Sequence, residues 1–259
     1  MQDLKGIDPR KRIASLFLTP VCDMQCRFCA AEEDFSAMTP DQAQRLLRGL
    51  RAWGFDNIVL GGGEPFMWPH GVESLSRSAR DLGFLVQVCT NGIRLPDGFE
   101  RSPGIHRYIL PLEAMDPSLH DSLRVHRNGH HALVLDRMET LAAAGRELTV
   151  STVVTQANLD QLPAIADHLR GLKARGARVH AWHLYRFLPV GRGGAIHGAS
   201  LRVSREAYLQ ACASLRRGNP DLTLFRRDDM FHPGCVEFFW FDGERLRWGS
   251  PVAPPAASA

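Results

Sequence analysis

The stretch Pro20-Val21-Cys22-Asp23-Met24-Gln25-Cys26-Arg27-Phe28-Cys29 places three thiols in one short run, spaced C-x3-C-x2-C. Soft thiolates select zinc or iron–sulfur clusters. A structural zinc site closes with four ligands, and the nearest histidine downstream is His70. Three cysteines in one loop suit a 4Fe–4S cluster held at three irons, the fourth being open to chemistry. A zinc-binding domain is the alternative that the loop alone leaves standing.

The remaining composition is that of a globular chain. Of 259 residues, 44% are hydrophobic and 23% charged, enough apolar material to bury a core. A formal net charge of +3 is too small to argue for nucleic acid. Arg186, Arg192, Arg226 and Arg227 are locally dense, but Asp228-Asp229 follow directly, so a solvated, paired surface competes with an anion site. Cys89, Cys212 and Cys235 are isolated and read as small buried hydrophobes. Cys89 also ends a strand. The cysteine spacing is not that of a small disulfide scaffold. No apolar run reaches the roughly 18 residues of a membrane helix, and Met1 to Arg12 lacks the apolar centre of a signal peptide. Cytoplasm is the expected location.

Outward from the cysteines, strand-like and helix-like segments alternate. Strands are expected at Ile13–Leu18, Asn57–Leu60, Phe84–Cys89, His106–Leu112, Glu147–Val154 and Arg178–Leu188. Helices are expected after Thr39-Pro40, over Val72–Leu82, from Asp116-Pro117 on through His131–Ala144, and after Asn158. The helix near Asp97–Arg101 looks short. Six strand–helix steps predict an α/β fold with parallel strands and right-handed crossovers. Ligands then gather at the carboxyl ends of the strands. After Ser204 come one more helix, a strand at Leu222–Phe225 and a hairpin over Val236–Trp248 turning at Asp242-Gly243. The expected division is an N-terminal extension at 1–12, the α/β unit at 13–200, a C-terminal cap or extension at 201–250 and a disordered Ala/Pro/Ser tail at 251–259.

Four motifs sit at strand exits. Cys22, Cys26 and Cys29, with Phe28 before the last, follow the first strand. Gly61-Gly62-Gly63-Glu64-Pro65 follows the second and Thr90-Asn91-Gly92 the third. Leu112-Glu113 through His120-Asp121-Ser122-Leu123-Arg124 follows the fourth. In this order and spacing they resemble the radical S-adenosylmethionine (radical SAM) superfamily over about residues 13–190. The resemblance implies a partial (β/α)6 TIM-like barrel with a short C-terminal α+β extension. It implies one 4Fe–4S cluster on Cys22, Cys26 and Cys29, with SAM on the free iron. It further implies SAM contacts from Gly62, Gly63, Glu64, Asn91, Glu113, Arg124, Phe28 and Leu188. For several of these the residues leave two readings open. Glu64 binds the SAM amino group or braces its loop; Phe28 packs by the adenine or anchors the loop. Arg124 meets the SAM carboxylate or pairs with Asp121. Family members often carry Ser and Asp where this chain has Pro111 and Glu113.

The implied reaction is reductive cleavage of SAM to a 5′-deoxyadenosyl radical, with a flavodoxin or ferredoxin as reductant. The run Trp182 to Gly193, ending Pro189-Val190-Gly191-Arg192-Gly193, resembles members that modify peptides or tetrapyrroles. A peptide side chain or a small organic metabolite is the leading substrate class. A nucleotide, nucleoside or sugar held by the four arginines is the second, and a non-catalytic cluster-binding scaffold the third. His126, His130, His131, His180, His183, His197 and His232 are unranked acid–base candidates, and no catalytic acid or base is identified.

Overall fold

The computed structural model describes residues 7–8, 10–31, 34–231 and 233–250. The expected tail at 251–259, residues 1–6 of the N-terminal extension and His232 lie outside them.

The chain opens with β1 (Ile13–Thr19) and the two-residue β2 (Gln25–Cys26), then α1 (Pro40–Ala52) and β3 (Asn57–Gly62). Next come α2 (Val72–Asp81), β4 (Leu85–Cys89), β5 (Arg107–Pro111), α3 (Pro117–Leu123) and the two-residue β6 (Arg124–Val125). They are followed by α4 (His131–Ala143), β7 (Glu147–Val154), α5 (Leu162–Ala174) and β8 (Arg178–Arg186). The last elements are α6 (Gly191–Leu201), α7 (Arg205–Gly218), β9 (Leu224–Arg227), β10 (Val236–Asp242) and β11 (Arg245–Gly249).

Local chemistry accounts for the helix starts. Thr39 and Gln42 form a reciprocal capping box with Pro40 in the first turn of α1. Asp116 and Ser204 cap α3 and α7 through their side-chain oxygens. Leu46, Leu47 and Leu50 of α1 are buried; the apolar stripe is what docks the helix on the sheet.

Among the described residues the main sheet runs β11-β10-β1-β3-β4-β5-β7-β8-β9. Every neighbouring pair in it is parallel except β10–β11. The six core strands match the expected six β/α steps, and the fold is the predicted α/β partial barrel. The C-terminal segments join this sheet. β9 extends it beside β8, and the β10–β11 hairpin extends it beside β1. The largest buried aromatics keep their polar ends satisfied: Tyr108 Oη donates to Phe99 O, Tyr208 Oη to Leu184 O, and Trp182 Nε1 to Thr152 Oγ1. No helix among the described residues is long and apolar enough to cross a membrane.

The structure adds to or departs from the sequence reading in local detail. The helix expected to continue from Asp116 into His131–Ala144 is broken at β6, which pairs with β2 so that Arg124 lies opposite Cys26. Asn158 stands at the N-cap position of a 3₁₀ turn, Leu159–Gln161, that leads into α5, but it makes no side-chain cap; its buried amide instead donates to Glu113 O and Val153 O. Helix α6 was not foreseen, because Gly191, Gly193, Gly194 and Gly198 argue against helix by propensity. The expected short helix after β4 is a single 3₁₀ turn at Phe99–Arg101.

Candidate functional site

The strand exits enclose one cavity of about 330 Å³. Cys22, Cys26, Cys29, Phe28, Gly62, Gly63, Glu64, Asn91, Arg124 and Leu188 all line it. Glu113 does not. Its carboxylate lies behind Arg124, accepting from Arg124 Nε at 2.8 Å and from Val153 N at 2.7 Å. The expected SAM contact at Glu113 is therefore corrected to a support for Arg124.

The cysteine loop has almost no regular structure, so other segments hold it. From β6, the Cys26–Arg124 register and the Arg27 N–H to Leu123 O bond fix one side. From the glycine loop, Gly63 N–H donates to Thr19 O and Glu64 N–H to Val21 O. From the start of α6, Arg192 N–H donates to Ala31 O, and Gly193 and Gly194 N–H to Cys29 O. These contacts require glycine. A Cβ on Gly62 (φ +117°) would lie 2.8 Å from Thr19 O, and one on Gly63 or Gly193 would collide with Val21 O or Cys26 O. The glycines at 62 and 63 therefore admit the cysteine loop itself, a role the sequence reading did not assign them.

Each sulfur faces an N–H donor. Asn91 Nδ2 is 3.9 Å from Cys22 Sγ, Arg124 Nη1 3.6 Å from Cys26 Sγ, and Arg192 Nε 3.3 Å from Cys29 Sγ. Burial pushes the Cys22 thiol up and the Cys26 thiol to about 12, although Arg124 opposes the latter. Ionising these thiols needs more positive charge than the protein supplies, which a bound metal provides. Among the described residues no three His, Cys, Asp or Glu side chains are grouped to hold a single metal ion. Three thiols lining one cavity are the donor set that an iron–sulfur cluster requires.

Glu64 is buried and braces its surroundings. Its carboxylate accepts from Phe66 N, Thr90 Oγ1 and Asn91 N, and burial raises it to about 7. Arg124 pairs with Glu113 rather than with Asp121, and its guanidinium stands 5.0 Å over the Phe28 ring. Burial works against the Arg124 charge, but Glu113, together with Cys26 and Cys89, outweighs it and leaves the guanidinium above its ordinary range. Asp121 instead accepts the backbone N–H groups of His130 and His131.

Four wall residues that the sequence reading did not single out as site residues are Met24, Tyr185, Met230 and Phe238; Arg186 and Arg192, weighed there only as anion holders, line the cavity too. For Arg192 a signal existed, since three glycines at the start of α6 mark a close backbone approach. Cys89, read as a buried structural thiol, instead opens onto the cavity, where its enclosed setting raises it to about 11. Cys212 is buried in the core as expected. Arg226 and Arg227 do not line the cavity.

Comparison with known proteins agrees with this geometry. Residues 16–169 match the family model described as the Radical SAM superfamily. An AdoMet-dependent heme synthase of Methanosarcina barkeri is 27% identical over 189 residues, 70% of this chain and 52% of that protein. A GTP 3',8-cyclase of Marinobacter nauticus is 30% identical over 166 residues, 60% of this chain and 49% of that protein. The chain thus spans about half the length of the curated relatives it matches. The crystal structure of Streptococcus suis SuiB bound to the precursor peptide SuiA superposes with a TM-score of 0.68 at 14% identity, covering 86% of this chain and 50% of that one.

Three substitutions test this account. Gly193→Ala is expected to cost about 1–3 kcal/mol in urea unfolding, because its methyl meets backbone that cannot yield. Gly49→Ala, with nothing within 4 Å of its Cβ, is expected to stabilise by about 1 kcal/mol. Glu113→Gln leaves the Arg124 charge buried without its counter-ion, and a loss of about 3–5 kcal/mol is expected in the same measurement.

Proposed function

The chain belongs to the radical SAM superfamily, and on that premise we propose that Cys22, Cys26 and Cys29 hold one 4Fe–4S cluster beside a SAM site in this cavity. The observation that carries the reading is that three thiols share one cavity wall and each has an N–H donor directed at its sulfur. When bound, the reduced cluster and SAM supply a 5′-deoxyadenosyl radical that takes a hydrogen atom from the substrate.

The chain's own residues do the rest. Asn91, Arg124 and Arg192 point N–H donors, two of them cationic, at the sulfurs and so tune the cluster's affinity and potential. Glu113 keeps Arg124 in place, and Glu64 ties the glycine loop to Thr90 and Asn91. The backbone of Gly62 and Gly63, with Phe28, Arg124 and Leu188, offers the polar and apolar surface that SAM requires. Phe17, Pro111, Val153, Tyr185, Met230 and Phe238 make the remaining wall largely apolar and limit water around a reactive radical.

The substrate reading is a peptide side chain or a small organic metabolite entering this enclosed space, with a flavodoxin or ferredoxin supplying the electron. An apolar wall of this size suits such a group. The nucleotide reading needs four arginines at one place. Arg186 and Arg192 reach the wall, but Arg226 and Arg227 do not; Arg226 stands 3.9 Å from Asp228 and Arg227 lies over Phe225.

Anaerobically reconstituted protein is expected to show a 4Fe–4S absorption and electron-spin signal and, once reduced, to form 5′-deoxyadenosine from SAM. Serine at all three thiol positions should abolish both. Reduced wild-type protein that binds SAM but forms no 5′-deoxyadenosine would refute the catalytic reading.

A further inference from the structure

Two buried histidines behind the cavity have hydrogen bonds that fix where their protons sit. The Glu113 backbone N–H donates to His120 Nδ1 at 3.2 Å. That nitrogen is therefore the acceptor, and the His120 proton is on Nε2. His120 Nε2 lies 2.8 Å from His130 Nδ1, which must accept. The His130 proton is then on Nε2, 2.7 Å from the Asn91 carbonyl oxygen. The rings stack at 5.1 Å with 17° between their planes, and both residues are fully or almost fully buried. The chain of donors runs one way, from the loop after β5 to the loop after β4.

One end is Asn91, whose side chain faces a sulfur, and the other is Glu113, which holds the arginine that faces a second sulfur. Asn91 bonds Asp23 through its side-chain amide, which also faces Cys22 Sγ. Glu113 holds Arg124, which faces Cys26 Sγ. Neither histidine lines the cavity.

We propose that His120 and His130 are positioning residues, a neutral imidazole pair whose two Nε2–H tautomers fix the spacing between the donor on Cys22 and the donor on Cys26. The proposal rests on the cluster reading for its function but not for its geometry. A proton added to either ring would set N–H against N–H. The charged and titratable groups around the pair are Arg124, Asp121, His126 and His131. Burial, and then the Arg124 charge, pushes both histidines down, His130 to about 4. In the unfolded chain a histidine titrates near 6.5. The unfolded state therefore takes up protons that the folded state refuses. The pair's contribution is complete above about pH 6.5 and is lost as pH falls toward about 4.

The test uses the full chain, nitrogen-15 labelled at histidine, before and after cluster reconstitution. Both His120 and His130 are expected as Nε2–H tautomers that do not titrate between about pH 8 and about pH 5.5. His130→Gln keeps one acceptor and one donor, and is expected to keep SAM affinity and the electron-spin line shape of the reduced cluster. His130→Leu removes both, and is expected to lose about tenfold or more in SAM affinity and to alter that line shape while still binding iron. Both variants should unfold with a shallower pH dependence than wild type between about pH 7 and about pH 4.5. An Nδ1–H tautomer at either position, titration near 6.5 in the folded chain, or a Leu variant with wild-type SAM affinity and line shape overturns the proposal. If His130→Leu does not fold, the wild-type tautomers and the Gln variant decide. If wild-type protein forms no cluster, the cluster reading fails while the tautomers still report on the pair.

Discussion

Backbone packed directly against backbone is the constraint on which this site depends. The cysteine loop has too little secondary structure to hold three thiols in a fixed pattern. It gains its shape from amide groups on the glycine loop, on β6 and on the first turn of α6. Peptide groups can approach this closely only where a Cβ is missing on one side, hence glycine at 62, 63 and 193. The conformational entropy that glycine costs at each position is offset by loop carbonyls that would otherwise be buried without a partner.

Charge follows from the same packing. Pulling the loop inward desolvates the thiols and raises Cys22 and Cys26. The register between β2 and β6 answers this by placing Arg124 opposite Cys26. A guanidinium in that position needs a carboxylate, which Glu113 provides from the end of β5, anchored in turn by the Val153 N–H of β7. β2, β6, the loop after β5 and the end of β7 are thereby linked through one cation. Its removal would affect the sulfur, the ring of Phe28 and the β5–β7 contact together.

The alternating strands and helices were legible because each element carries its own periodicity and its own start and stop residues. The cysteines and the glycine loop were legible because their spacing is chemical. The split between α3 and α4 was not, because local propensity through Leu119, Leu123 and Val134 favours helix. The break is decided by a pairing with Gln25–Cys26 about a hundred residues away. Helix α6 failed for the opposite reason. Its glycines are poor helix formers, and tertiary contact with Cys26, Cys29 and Ala30 overrides them. Glu113 was assigned to the cavity from its motif alone. Only the fold shows that a strand-end side chain can face the barrel wall behind a neighbour rather than the space in front of it.

The cavity wall divides along the sequence in a way that bears on specificity. Cysteines, glycine loop, Asn91 and Arg124 all fall within residues 16–169, the span of the family match. Tyr185, Arg186, Leu188, Arg192, Met230 and Phe238 come after it, from β8, the loop that follows it, α6, the segment between β9 and β10, and β10 itself. In the proposed reading the first set serves the cofactors and the second, apart from Arg192 and Leu188, borders the substrate. This division fits relatives named for haem synthesis and for GTP cyclisation, both of which align with this chain over only part of their length. A shared first set would generate the same radical, while a differing second set would decide what meets it. By the same logic Phe238 matters more than its plain side chain suggests, because β10 packs beside β1 and so brings this residue to the strand that leads into the cysteines.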